Sequence, residues 1–179
     1  MSIRRWLGLE QRPEGSGPDE RGGARSLREI VDRLDAMDPD HARYVAGFAY
    51  ILGRVADVEE GISEEETEAM ERLVSEAGHL PEEESMLVVR MAKTHNHLFG
   101  ETENFLVTRE FAAIADRDQK EALLDCLYAV SAADESVSSV EDTEIRKIAG
   151  ELGMEHRDVI RARRRYREYL DVLKQEEDR

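Results

Sequence analysis

Two stretches of this chain place carboxylates and a hydroxyl at matching intervals. In the first, Ala56-Asp57 closes an apolar run, an acidic loop follows, and Ile62-Ser63 opens the next run with Glu66 beyond it. In the second, Ala133-Asp134, Val137-Ser138 and Glu141 occupy the same places. Two chemistries use such residues. A Ser followed by Glu at this spacing forms a capping box, in which hydroxyl and carboxylate each take a free backbone amide at a helix start. The aspartates have no part in that. A carboxylate at the C-terminal end of an apolar helix faces the negative pole of the macrodipole, at a cost of roughly 0.3–1 kcal/mol. A bound Ca²⁺ or Mg²⁺ would offset this, as would an arginine or the amino end of the next helix. The candidate metal ligands on this reading are Asp57, Glu59 and Asp134. The first loop is two residues longer than the second and adds Glu60 to its charge. Neither loop has the length or the alternating oxygen ligands of an EF-hand. Caps alone and caps with a cation site both remain open at this point.

The elements that must carry these loops are read from apolar periodicity. Val45, Phe48, Ala49, Leu52, Val55 and Ala56 share one helical face. After the first loop, Met70, Leu73, Val74, Ala77 and Gly78 fall in register with Ile145, Ile148, Ala149, Leu152 and Gly153 after the second. Helices are expected over 26–36, 42–56, 64–77, 81–98, 103–115, 119–133, 139–152 and 156–174, with Asp38-Pro39, Gly78, Gly100 and Gly153 as breaks. Nothing reads as a strand. The predicted fold is all-α, one compact domain of seven to eight helices with an internal helix-loop-helix pseudo-repeat. Residues 24–174 form that domain. Residues 1–23 are a Gly- and Pro-rich segment with a short basic-apolar peptide, and 175–179 are an acidic tail.

Composition narrows the setting. The chain has 179 residues, 37% of them charged and 6% aromatic, with a formal charge of −16. That charge disfavours binding to the nucleic-acid backbone and favours cations and basic partners. Cys126, the single cysteine, lies in an apolar helical stretch and is expected to be a buried thiol rather than a nucleophile. No His or Cys spacing suits zinc, and no glycine-rich phosphate loop occurs. The expected activity is therefore not enzymatic. No run approaches the roughly 20 apolar residues that span a bilayer. The cytoplasm is the expected compartment, with or without a peripheral hold on the inner membrane.

The stretch LLDCLYAVSAADESVSSVEDTEIRKIAGELGM resembles the TerB-like family of tellurite-resistance proteins, related to the N-terminal region of the co-chaperone DjlA. The family pattern is Ala-Asp-Gly, any residue, Val or Ile, Ser, two more residues, then Glu. Glu135 stands here where the pattern has Gly. The likeness covers most of 41–174 and extends to LFGETENFLVTREF. It implies an all-helical domain of about seven helices, divalent-metal binding through Asp57, Glu66, Asp134 and Glu141, and a non-enzymatic role in stress response, often near membranes.

Three features lie outside the repeat. In the helix after Gly100, Phe105, Leu106, Phe111 and Ile114 are expected to face inward. Arg109 beside Glu110 is read as an interhelical salt bridge, as a brace for an acidic loop, or as part of a docking face. The arginines from Arg157 to Arg167 are expected to pair within the chain. Trp6 and Leu7, in Arg4-Arg5-Trp6-Leu7, are candidates for docking an unidentified protein partner or for a weak membrane foothold. The oligomeric state is not legible.

Overall fold

Asp38 and Pro39, which the pattern above reads as a break, build the start of the next helix. The Asp38 carboxylate accepts from the amides of Asp40 and His41 at 3.0 and 3.3 Å, and Pro39 takes the first turn, where its missing N–H costs nothing. The computed structural model describes residues 28–56, 64–93 and 101–170; within these, the side chains of Glu65, Glu66, Asp134 and residues 101–104 lie outside the description. Helix α1 covers residues 28–35 and buries Ile30, Val31 and Leu34. It is followed by α2 (Pro39–Val55), α3 (Glu64–Gly78), α4 (Glu82–Lys93), α5 (Glu101–Ile114), α6 (Arg117–Ser131), α7 (Ser139–Glu151) and α8 (His156–Arg165). Short 3₁₀ turns follow α6 at Ala132–Asp134 and α8 at Arg167–Tyr169. The fold is a single all-α domain, without strands among the described residues.

Two helices are buried on nearly every side over most of their length, where Ala, Leu, Val and Tyr predominate. They are α2 and α6, the first helices of the two copies. The repeat extends further than a helix pair: α2, α3 and α4 correspond in order to α6, α7 and α8. Each central helix packs on the second helix of the other copy, α2 on α7 and α6 on α3. Helix α5, lying between the copies in sequence, covers α2 and α7. Its Phe111 is fully buried and stacks on Tyr44 with ring centroids 5.3 Å apart.

Several local readings are corrected. Phe105, Leu106 and Ile114 are exposed, because α5 turns only its Thr108–Phe111 side to the core. The last helix stops at Arg165 instead of running to Lys174. There Tyr166 stacks on Tyr128, and the chain bends so that the Tyr169 carbonyl accepts from Val137 N–H at 2.7 Å. Gly153 does end α7 as expected, with φ +72° and the paired Gly153-to-Gly150 and Met154-to-Ala149 bonds of a Schellman cap. Gly78 has a different role. The left-handed residue after α3 is His79, and a Cβ at Gly78 would lie 2.8 Å from Phe48 Cζ. Cys126 is buried as expected, and burial pushes its thiol up to about 12 from an ordinary 9.0.

Gly78→Ala should cost about 1–3 kcal/mol through overpacking against Phe48. Gly150→Ala, where nothing lies within 4 Å of the new Cβ, should gain about 0.5–1 kcal/mol as a helical glycine removed. Urea unfolding of the two variants checks both signs. A second expectation concerns alkali. The unfolded Cys126 ionises above pH 9 while the folded one resists until about 12. The native state thus holds a proton that the unfolded state has lost, and stability falls as pH rises through that window. Burial shifts Tyr44 and Tyr128 upward in the same sense. The urea midpoint, followed through this range, should decline steadily.

Candidate functional site

Each acidic loop leaves the C-terminal end of a central helix, so the residues at those two ends decide what the loops can do. At the end of α2 stands Arg54, on the same buried stripe as Gly47 and Ile51. Its side chain is 1% exposed. The guanidinium donates to Glu144 Oε1 through Nη2 at 2.5 Å and Nε at 3.1 Å, and to Glu151 Oε2 through Nη1 at 2.7 Å. Nη1 also donates to Thr108 Oγ1 at 2.7 Å. Both glutamates come from α7, one face of which is spaced to present them two turns apart, and Thr108 comes from α5. Burial alone would lower the Arg54 pKa, but the hydrogen bonds it donates to Glu151 and Glu144 hold it above its ordinary value. One cation therefore ties three helices beside the first loop.

Sequence reading missed this residue and looked instead to Arg109 for a brace. The signal was present: an arginine on the apolar stripe of a helix has to find carboxylates when it is buried. Arg109 itself is exposed, with its guanidinium carbon 5.9 Å from the centre of the Phe105 ring. It makes no ion pair among the described residues. Thr108, its neighbour in the chain, is fully buried.

The second loop is set by local bonds. Ser138 and Glu141 form the expected capping box, Glu141 N–H to Ser138 Oγ at 3.2 Å and Ser138 N–H to Glu141 Oε2 at 2.8 Å. Asp134 ends a 3₁₀ turn. Glu135, which replaces the glycine of the family pattern, has φ +64°, the left-handed conformation that glycine adopts without strain. The loop is pinned from outside by the parallel bridge between Val137 and Leu170. Just inside, Asp142 is 2% exposed, accepting from Tyr128 Oη and Arg163 Nε at 3.0 Å each. Other arginines of α8 also pair within the chain: Arg161 with Glu121 at 3.4 Å, Arg157 with Glu155 at 2.9 Å, and Arg165 with Asp125.

Of the five candidate ligands, only the Glu141 side chain is described, and one of its oxygens is committed to the cap. Asp57 and Glu59 lie outside the described residues, as do the side chains of Glu66 and Asp134 and the whole of Trp6 and Leu7. No group of three or more His, Cys, Asp or Glu side chains able to hold a metal gathers among the described residues. No helix among them is long and apolar enough to cross a membrane. A family profile described as Tellurite resistance protein TerB matches residues 25–164, well over half of the chain. No curated protein and no solved structure matches it.

Arg54→Ala should destabilise the fold by about 3–5 kcal/mol, since it leaves the largely buried Glu151 without a counter-charge and Glu144 with only the exposed Lys147. The triple variant Arg54→Met, Glu144→Gln, Glu151→Leu should recover much of that loss, because it removes the stranded charges with their partner. Thermal or urea unfolding of both variants checks the order.

Proposed function

The chain belongs to the TerB family, and from that premise we propose that it is a non-catalytic helical domain holding a divalent cation, Ca²⁺ or Mg²⁺, at its acidic loops within a stress-response assembly. Asp57, Glu59 and Glu66 are the donors of the first loop, Asp134 and Glu141 those of the second. The observation that carries this reading is the charge balance at the end of α2. Arg54, the basic residue of that helix's last turn, is shared between Glu144 and Glu151. In the buried part of the cluster one guanidinium faces two carboxylates, with Lys147 reaching Glu144 at 3.7 Å from the solvent side, before the loop adds Asp57, Glu59 and Glu60. A hard dication takes carboxylate and carbonyl oxygens from such loops, and it would relieve both the surplus charge and the macrodipole penalty. At the second loop the last turn of α6 contains no basic residue. Glu141 has a second carboxylate oxygen besides the one that caps α7.

A second reading makes the domain a metal-free interaction module, with the loops serving only as helix caps. What favours it is the outer face of α5, where Phe105 and Leu106 are 50% and 59% exposed and Arg109 lies over the Phe105 ring. Exposed large apolar side chains grouped with an arginine are the composition of a docking face.

Calorimetric titration of the full chain with Ca²⁺ and with Mg²⁺ separates the two. Heat of binding that disappears in the Asp57→Asn, Asp134→Asn double variant, with helicity unchanged, is the expected result. Absence of heat at millimolar metal defeats the cation reading and leaves the interaction module.

A further inference from the structure

The two copies treat one face of the fold in opposite ways. In the register of the repeat, Leu52, Val55 and Ala56 of the first copy correspond to Ala129, Ala132 and Ala133 of the second. Ile148, Glu151 and Leu152 correspond to Leu73, Glu76 and Ala77. On the α2–α7 side Leu52, Val55, Ile148 and Leu152 are all buried, because α5 lies over that pair of helices and seats Phe111 and Thr108 on it. On the α6–α3 side no such helix lies among the described residues. Instead there is a groove of about 410 Å³ lined by Leu73, Glu76, Ala129, Ala132, Tyr166 and Tyr169. The substitutions to alanine widen it, and the two tyrosines form its wall.

The charges differ in a way that specifies an occupant. On the covered side Glu151 is paired with Arg54 of the facing helix. Glu76 takes the place of Glu151 in the groove, but the position corresponding to Arg54 is Ser131, whose buried hydroxyl has no hydrogen-bond partner. Glu76 makes no ion pair among the described residues. The groove therefore lacks what α5 and Arg54 supply on the other side: an aromatic side chain over the small residues and a cation for the glutamate. Tyrosine faces beside a carboxylate favour an arginine further.

We propose that the groove is the docking site of this chain's own N-terminal peptide, with Trp6 and Leu7 over the alanines and Arg4 or Arg5 at Glu76. That peptide has the required composition. It also lies within reach: as a Gly-rich connector, the stretch from Gly8 to Leu27 spans about 25 Å on average, comparable with a domain of this size. The effective concentration of a peptide so tethered is of millimolar order, so modest contacts suffice to hold it.

Trp6 is the single tryptophan, which makes the full-length chain its own reporter. The expected result is blue-shifted Trp emission and restricted acrylamide quenching, both lost in Glu76→Lys and in Ala133→Arg while helicity is retained. The Arg4→Glu, Arg5→Glu variant should release Trp6 in the same way, and combining it with Glu76→Lys should restore the shielded emission. Restoration cannot come from a misfolded domain. A native emission already typical of tryptophan in water overturns the proposal, as does a shielded emission indifferent to the groove substitutions. A shift that depends on protein concentration, or that needs added anionic vesicles, also overturns it and assigns the peptide to a second copy or to a lipid surface.

Discussion

A guanidinium with almost no access to water, held between two glutamates of one helix and a threonine of another, is the constraint around which this domain is arranged. An arginine in that position requires both carboxylates, since an unpaired charge there would be far more costly than the pair. Satisfying it fixes the end of α2, the rotation of α7 about its own axis and the depth of α5 in a single set of hydrogen bonds. The first acidic loop departs from this point, so its carboxylates meet a field already set by Glu144 and Glu151. In that cluster two carboxylates face one buried guanidinium, with Lys147 reaching Glu144 from the solvent side.

The second copy solves the same packing problem by other means. Ser131 replaces the arginine, and the buried carboxylates of that half are Asp142, held by Tyr128 and Arg163, and Asp158, held by Arg117. The loop there is fixed by a capping box and by backbone pairing with Leu170. The two similar helix units thus differ in a few side chains, which give one an ionic core with a covering helix and the other a tyrosine-walled groove.

Much of the fold was legible because helix signals are local. The run of apolar residues every three or four positions, the Ser138–Glu141 box and the Gly153 terminator each act within a few residues, and each appears where the pattern places it. The misreadings have a common origin. Asp38-Pro39 resembles a stop when considered alone, although the same pair caps the following helix. Gly78 resembles a terminator, but its small size is demanded by Phe48 from another helix. Phe105 and Leu106 resemble core because their type is apolar, whereas the face of α5 that is buried is chosen by Arg54 and Tyr44.

By itself the sequence determined that this chain is all-helical, that it contains one helical unit twice, that its single thiol is buried, and that its acidic loops sit at helix junctions. Those properties depend on residue type and short-range spacing. Only the tertiary structure decided that Arg54 is the buried cation, that Glu144 and Glu151 are its partners across some ninety residues of chain, and that α5 covers one face of the repeat while no described helix covers its counterpart. Partners so far apart in sequence leave no periodic trace. They are selected when helices pack, because a charge withdrawn from water takes the nearest opposite charge that the packing offers.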